Sequence, residues 1–314
     1  MTEQPSPTTH RIAYLAGHGV GPEVTAAASR ALDHLSRRHG FRVDEIHPPF
    51  GAETLIHSGS ALPPATQRAT ASADAILVAG ATEPALAALR ASVGPAIRVT
   101  RTLDALGDST VYAPLDDTGM PAAVARALAA AKTAGGRVMA VGVDETWLAH
   151  LADHSPVVVD HRPLTEALEL LAGNAAGTVI AGQSVGDALA TAPLLVGHER
   201  LTASADLPLV GPGVFAPTHG NDHVDSGHGV ADPTEMLLAT ALLLSEGLGL
   251  RDAGRALERS VSTTLSRTRM PMTSNGTIVR ETTREFVDAV LALIPSARRD
   301  TDIAPGVKGM SVTG

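Results

Sequence analysis

The chain has 314 residues, of which 44% are hydrophobic, and it carries a formal net charge of −9 and no cysteine. The acidic balance disfavours nucleic acid as the main partner, and the lack of cysteine excludes disulfides, thiolate catalysis and cysteine-bound zinc. The first residues contain no apolar signal core, and no apolar run approaches the ~18 residues of a membrane span. The composition therefore predicts a cytoplasmic protein whose partners include neither nucleic acid nor a membrane.

The first predicted elements alternate between strands and helices. Residues 11–17 are a short apolar run that ends in glycine, and Gly-Pro-Glu-Val at residues 21–24 opens a helix. Residues 43–46 predict a second strand. Residues 75–80 are apolar at every position, which is typical of a buried strand in a parallel sheet. This alternation predicts an α/β fold with a doubly wound core.

Further along the chain, residues 137–143, 157–161 and 178–181 predict strands. An alanine-rich helix precedes them at residues 122–134, and the last strand leads into a helix that ends near residue 191. That helix has an apolar face, which suits either a dimer interface or packing within the chain. The residues on this face are Val185, Leu189, Ala192, Leu195 and Val196.

A long loop at residues 213–233 collects glycines, aspartates and two His-Gly pairs and then starts a helix at residues 234–248. Asp232 followed by Pro233 predicts the N-cap and first turn of that helix. Glycines let backbone amides approach a ligand, and a helix N-terminus favours an anion, so the loop predicts a ligand site. An ordinary polar loop before a buried helix is the alternative. Its histidines lack the spacing of a zinc enzyme.

Two motifs together resemble the β-decarboxylating dehydrogenases, the family of isopropylmalate and isocitrate dehydrogenases. One is Gly-His-Gly-Val-Gly-Pro-Glu-Val at residues 17–24, and the other is the loop at residues 213–233. The loop positions that match in register are Pro217, His219, Gly220, Gly227, Gly229, Val230, Ala231 and Pro233. The resemblance implies a two-lobed, doubly wound α/β fold with a shortened small domain.

The resemblance also implies how the chain divides into domains. A large nucleotide-binding domain would comprise residues 11–98 and 201–294, and a small domain for substrate binding and dimerisation would comprise residues 99–200. Residues 1–10 and 295–314 would be flexible tails. By the same resemblance the protein is expected to form a homodimer.

The resemblance implies NAD or NADP as cofactor, held by the loop at residues 213–233, which we call the late loop. The family's NAD-selecting acid falls at Val224, with Asp225 one place later, so the choice between the two cofactors stays open. The expected cofactor-binding residues are Glu83, His219, Gly220, Asn221, Asp225, Gly229 and Asp232. For Glu83, a solvated helix start is the alternative.

The expected substrate is a small carboxylate. Residues 93–106 resemble the family's substrate helix, on which Arg98 would grip a carboxylate and Arg101 would reach the same site. Arginine suits this task because its rigid fork pairs bidentately with a carboxylate. Asp187 matches one of two aspartates that hold Mg²⁺ or Mn²⁺ in the family, and the second position is Thr191. A metal is therefore a weak expectation.

The chain differs from the family at the positions of the catalytic and substrate-binding residues. The lysine that acts as base falls at Val143, no tyrosine follows Tyr112, and a further substrate arginine falls at Asp108. Ordinary oxidative decarboxylation is therefore disfavoured. The remaining candidates for a base are His18, Glu83 and Asp187.

These residues lead to one main hypothesis and two alternatives. The main hypothesis is an NAD(P)-binding relative of isopropylmalate dehydrogenase that oxidises a 2-hydroxy acid by hydride transfer. The first alternative is a catalytically silent homologue that binds a nucleotide or a protein. The second is a non-redox enzyme, such as a lyase, that reuses the cleft.

Overall fold

The computed structural model describes residues 7–104, 107–153, 157–172, 177–191, 201–218, 226–267 and 282–295. The strands are β1 (Thr9–Leu15), β2 (Arg42–Ile46), β3 (Ala75–Val78), β4 (Ile97–Asp104), β5 (Gly107–Pro114), β6 (Arg137–Val141), β7 (Val158–His161), β8 (Gly177–Ala181), β9 (Leu201–Leu207) and β10 (Gly213–Pro217). The helices are α1 (Gly21–His39), α2 (Ala52–Ser58), α3 (Pro64–Ala71), α4 (Glu83–Val93), α5 (Met120–Thr133), α6 (Glu145–Ala152), α7 (Leu164–Ala172), α8 (Gly186–Thr191), α9 (Thr234–Leu242), α10 (Arg251–Arg267) and α11 (Thr283–Leu293). A π-helical turn, Leu243–Gly247, continues α9. The predicted α/β fold is confirmed.

All these strands belong to one sheet, in the order β2-β1-β3-β10-β9-β4-β5-β8-β6-β7. The strands β2, β1, β3 and β10 are parallel to one another, and so are β5, β8, β6 and β7. Between these two blocks, β9 and β4 pair antiparallel with their neighbours. Because of the three antiparallel pairings in the middle, the two parallel blocks run in opposite directions.

The two faces of the sheet are covered differently. One face packs against α1, α5, α9, α10 and α11 and forms a continuous core rich in alanine, leucine and valine. The other face carries two smaller apolar clusters. The first lies beside α4 and includes Leu89, Ile76 and Val214. The second lies beside α7 and α8 and includes Leu171 and Leu189.

The segment at residues 93–106 is not the helix that its family resemblance predicted. Residues 97–104 form strand β4, which pairs with both β5 and β9. Ile97 and Val99 are buried in the main core, and Arg98 between them points to the opposite face. Alternating apolar and polar side chains with β-branched residues favour a strand over a helix. The observed strand β4 agrees with that local pattern.

The apolar face predicted around α8 is partly used within the chain itself. Leu189 is fully buried in the cluster beside α7, and Val185 packs against that cluster. This favours intramolecular packing for these two side chains. The remaining residues of the face, Ala192, Leu195 and Val196, lie outside the described residues. Among the helices that the structure describes, none has the length and apolar character needed to cross a membrane.

Both tyrosines of the chain are buried beside a glutamate. The Tyr14 hydroxyl donates a hydrogen bond to Glu45 and the Tyr112 hydroxyl donates one to Glu246, each at 3.1 Å. Burial, and after it the neighbouring carboxylate, raises the pKa of both phenols well above the ordinary value. Neither tyrosine is therefore expected to ionise while the fold is intact.

The raised pKa of the two tyrosines predicts how the free energy of unfolding changes at alkaline pH. Because the folded state keeps two phenolic protons that the unfolded chain releases near pH 10, stability should be full below about pH 10 and fall above it, by about 1.4 kcal/mol per pH unit for each tyrosine. A titration should show the tyrosinate absorbance rising together with the loss of circular dichroism. Tyrosinate that forms first, in a folded chain, would contradict the prediction.

Candidate functional site

Three loops meet at one edge of the sheet. The strands β1, β3 and β10 are neighbours and run parallel, so their carboxyl ends lie at the same edge. They are followed by the turn at Gly17, the turn at Gly80 and the loop that begins after Pro217. In open α/β sheets, ligands bind in the crevice outside the carboxyl ends of the strands. This edge is therefore the place where a bound ligand is expected.

The first two loops touch through glycine backbone. The amide of His18 donates a hydrogen bond of 3.0 Å to the carbonyl oxygen of Gly80. A Cβ atom at Gly17 would lie 2.2 Å from the Gly80 oxygen, and one at Gly80 would lie 2.2 Å from the His18 oxygen. Both glycines also have positive φ angles, +60° and +54°. Conformation and close approach thus both require glycine here.

The second half of the loop at residues 213–233, from Ser226 onwards, lies against the start of α1. The Ser226 hydroxyl donates a hydrogen bond of 2.8 Å to the carbonyl oxygen of Gly19. The Gly227 amide donates one of 2.5 Å to the carboxylate of Glu23. The two glycine-lined motifs that carry the family resemblance are therefore in contact, although about two hundred residues separate them. We call these contacts, together with those between Gly17 and Gly80, the glycine junction.

The predicted cofactor-binding residues fall into two groups. His219, Gly220, Asn221 and Asp225 lie outside the described residues, as does the side chain of Glu83, the first residue of α4.

The other two cofactor candidates, Gly229 and Asp232, shortly precede the start of α9. Gly229 has a φ of +69°, and its carbonyl oxygen accepts a 2.9 Å hydrogen bond from the Thr283 amide. Asp232 accepts a 2.9 Å hydrogen bond from the Thr234 amide, although the N-cap position itself is Pro233, one residue later than predicted. Both residues thus hold the end of the loop in place.

Arg98 and Asp187, predicted separately as site residues, lie side by side. Arg98 projects from β4, and its Nη1 atom is 3.3 Å from an oxygen of Asp187 at the start of α8. Its Nε atom donates a 2.8 Å hydrogen bond to Asp206, which stands directly opposite on β9. Burial lowers the pKa of Arg98, but the carboxylates of Asp206 and Asp187 outweigh it and raise that pKa overall.

Arg101 does not reach the same site as Arg98. On a strand, residues three apart point to opposite faces, whereas on a helix they would share one. Arg101 instead pairs with Glu258 on α10 and with Asp108 and Thr110 on the neighbouring strand β5. Asp108, which replaces a substrate arginine in the resemblance, is therefore part of a structural ion-pair network.

Two residues beside Arg98 were not predicted from the sequence. Asp206 is a buried carboxylate, and Arg90 near the end of α4 donates a 2.6 Å hydrogen bond to it from Nε. Polar residues at every second position of β9, at Thr202, Ser204 and Asp206, favour a strand with one polar face. No local signal, however, indicates that Asp206 faces Arg98, because that depends on the register of β9 against β4.

The residues around Asp187 do not fit a divalent metal within one chain. The Asp187 side chain is 84% exposed and paired with Arg98, and the Thr191 hydroxyl donates to the helix carbonyl of Asp187 at 2.9 Å. Hard cations require several oxygen ligands that converge. In the part of the chain that the structure describes, no three histidine, aspartate or glutamate side chains converge in that way.

The position of the family's base holds a buried apolar residue, and the last tyrosine of the sequence does not face Arg98. Val143, at the position of the lysine, is 6% exposed. The next residue, Asp144, accepts a 3.0 Å hydrogen bond from the Trp147 amide and so caps α6. Tyr112 lies on the face of the sheet opposite to Arg98 and is bonded to Glu246.

Comparison with known proteins gives the same family as the sequence motifs. The isocitrate/isopropylmalate dehydrogenase family model matches residues 11–115 and 166–290. The 3-isopropylmalate dehydrogenase of Prochlorococcus marinus (strain MIT 9313) is 29% identical, across 82% of this chain and 91% of that protein. The enzyme of the same name from Anaeromyxobacter dehalogenans (strain 2CP-C) is 27% identical, across 82% and 92%.

Solved structures show the same fold at low sequence identity. A β-decarboxylating dehydrogenase from Thermococcus kodakarensis superposes with a TM-score of 0.73 at 19% identity, covering 91% of this chain and 96% of that one. Isocitrate dehydrogenase from Methylococcus capsulatus gives 0.70 at 18% identity, covering 91% and 99%. Together with the family match, which spans most of the sequence, these likenesses show that the chain belongs to the isocitrate/isopropylmalate dehydrogenase family.

Proposed function

We propose that this protein binds NAD or NADP at the glycine junction and oxidises a 2-hydroxy acid held in the cleft beside Arg98. The observation that carries the proposal is the contact of Ser226 and Gly227 with Gly19 and Glu23. It brings the late loop to the carboxyl ends of β1 and β3, where open α/β sheets bind nucleotides. A bound nicotinamide would supply the hydride acceptor.

The helix α4 connects the two parts of the site, which supports the proposal. The helix α4 begins at Glu83 beside the Gly80 turn and carries Arg90 seven residues later. At 1.5 Å per residue, the rise along α4 from Glu83 to Arg90 is about 10 Å. A dinucleotide at the junction could therefore extend its nicotinamide end towards a substrate at Arg98.

In this proposal, the chain's own residues bind the acid and take up its proton. Arg98 would pair with the substrate carboxylate and fix the carbinol carbon. The C–H hydrogen would leave as hydride, and the hydroxyl proton would pass to a base. Among the three candidates, Asp187 is the one whose carboxylate lies beside Arg98, at 3.3 Å, so we assign the proton to its carboxylate. His18 and Glu83 belong to the nucleotide end.

We further propose the domain division expected from the sequence. Residues 11–98 and 201–294 would form the nucleotide-binding domain, and residues 99–200 the small domain. The separate apolar clusters on one face of the sheet, one beside α4 and one beside α7 and α8, support that division. The homodimer remains a prediction from the resemblance, and the cytoplasmic location remains a prediction from the composition.

A catalytically silent homologue is the second candidate function. It is supported by the buried Val143 at the lysine position and by the Thr191 hydroxyl, which is bonded to its own helix. Such a protein would keep the nucleotide site and lack turnover. A nucleotide- or protein-binding role would then replace the hydride transfer.

Calorimetric titration with NAD⁺ and NADP⁺ tests the proposal first. We expect one of the two to bind with a dissociation constant in the micromolar to millimolar range. Assays of reduced cofactor over a panel of 2-hydroxy acids then separate the two candidates, and Asp187→Asn should abolish any turnover that is found while leaving nucleotide affinity unchanged. Binding without turnover would favour the silent homologue. If neither nucleotide binds at millimolar concentration, the proposal is wrong.

A further inference from the structure

A buried carboxylate, that of Asp206, already pairs with the two arginines of the cleft, Arg90 and Arg98. The Asp206 side chain is 2% exposed, and each of its two oxygens accepts a hydrogen bond from a different guanidinium. The distances are 2.6 Å to Nε of Arg90 and 2.8 Å to Nε of Arg98. A buried carboxylate is tolerated only when it is paired and hydrogen-bonded, and here both oxygens are satisfied.

The charges in this group leave room for one anion. Two guanidinium groups face a single buried carboxylate, so within the described residues one positive charge has no buried counter-charge. Asp187 also approaches Arg98, but its side chain is 84% exposed, and solvent and salt screen its charge. The unbalanced charge therefore matches one ligand carboxylate.

The hydrogen-bond geometry of the two arginines also favours the binding of one ligand carboxylate. Asp206 is bonded to the Nε atoms of both arginines, and Nη1 of Arg98 is 3.3 Å from Asp187. A ligand would therefore meet the Nη groups of Arg90 and Nη2 of Arg98. The side chains of Arg90 and Arg98 are 27% and 25% exposed, so part of each guanidinium remains accessible. A ligand carboxylate could thus be held by these Nη groups while Asp206 holds both guanidiniums through their Nε atoms.

We propose that Asp206 determines the charge of the ligand: it stands in for one carboxylate, so that the cleft takes a 2-hydroxy acid with a single carboxylate and disfavours a dicarboxylate. A second ligand carboxylate would meet the same two guanidiniums that Asp206 has already neutralised in part, and it would be repelled by Asp206. This inference deepens the proposed function and depends on the cleft at Arg98 being the acid-binding site.

The test compares lactate and malate, two 2-hydroxy acids that differ by one carboxylate. Both are titrated calorimetrically into the protein with and without NAD⁺. The natural protein should bind malate no more tightly than lactate. Asp206→Asn keeps the side-chain shape and removes the charge, so it should shift the ratio of the two affinities towards malate by about tenfold or more. Asp44→Asn, which removes an exposed carboxylate paired with Arg11 on a distant strand, should leave the ratio unchanged.

Three results would overturn the inference. The first is tighter binding of malate than of lactate by the natural protein. The second is an unchanged ratio in Asp206→Asn. The third is that neither acid binds under any of the conditions. If Asp206→Asn does not fold, the comparison in the natural protein decides. Because the titrations without nucleotide do not require the glycine junction, failure of NAD(P) binding would be recognised separately.

Discussion

Gly17→Ala is expected to destabilise the protein by about 3 kcal/mol and to weaken nucleotide binding at least tenfold. A left-handed residue with a Cβ atom costs about 1–2 kcal/mol, and overpacking adds about 1–3 kcal/mol. Both penalties apply, because Gly17 has a φ of +60° and the new Cβ would lie 2.2 Å from the Gly80 oxygen. The clash is with backbone, which cannot rotate away as a side chain could. The change therefore separates the two turns of the glycine junction.

Gly40→Ala is the matched control. Gly40 also has a positive φ, +74°, at the end of α1, but a Cβ there would meet nothing within 4 Å. It should cost only about 1 kcal/mol and leave nucleotide affinity unchanged. Urea unfolding of both variants, with the m-value checked for constancy, measures the difference. Equal losses of stability in the two variants would show that Gly17 is needed only for its conformation and not for close approach.

Arg101→Met is expected to cost about 3 kcal/mol or more in unfolding free energy. Arg101 is 13% exposed and pairs with Glu258 on α10, with Nε donating at 3.2 Å and Nη2 making a second, shorter contact. Burial lowers the pKa of this guanidinium, and the carboxylates of Glu258 and Asp108 more than compensate and raise it. Removing it leaves the Glu258 carboxylate without that partner in a largely buried position, which is the costly way to break a buried ion pair.

Arg11→Met provides the comparison for that change. Arg11 is also a strand arginine in an ion pair, with Asp44, but both side chains are more than 40% exposed. Exposed pairs contribute about 0–1 kcal/mol, so this variant should unfold almost like the natural protein. If Arg101→Met cost no more than Arg11→Met, the network between β4 and α10 would not hold the middle strands in place, and the account of Arg101 as a structural residue would be wrong.

The parts of the fold with strong local signals could be predicted from the sequence. The all-apolar run at residues 75–80 predicted a buried parallel strand, and β3 is fully buried in the sheet. The glycines at 17 and 21 predicted a strand-to-helix turn, and α1 begins at Gly21. These features are determined by neighbours in sequence, so composition and spacing were sufficient to find them.

The segment around Arg98 shows where such reasoning failed. The family resemblance predicted a helix, although Ile97 and Val99 alternate with polar residues as in a strand. The choice decides the site, because a helix would have placed Arg98 and Arg101 on one face. In β4 they lie on opposite faces, and only Arg98 remains beside Asp187. The alternation of apolar and polar residues, taken alone, predicts the strand correctly.

The carboxylate at Asp206 could not have been predicted as a partner of the arginines. Its pairing with Arg98 joins residues 108 positions apart, and its pairing with Arg90 joins residues 116 positions apart. Those contacts depend on the antiparallel register of β9 against β4 and on where α4 ends. A single sequence contains no local pattern that records a register between distant strands.

Hydrogen–deuterium exchange with and without NAD⁺ or NADP⁺ tests most directly whether the glycine junction is the nucleotide site. Amides that are covered by a ligand exchange more slowly. The account predicts slower exchange in the presence of nucleotide at residues 16–23 and 226–231, which lie on either side of the Ser226 to Gly19 contact. Protection confined to other parts of the chain, or no change at saturating nucleotide, would contradict it.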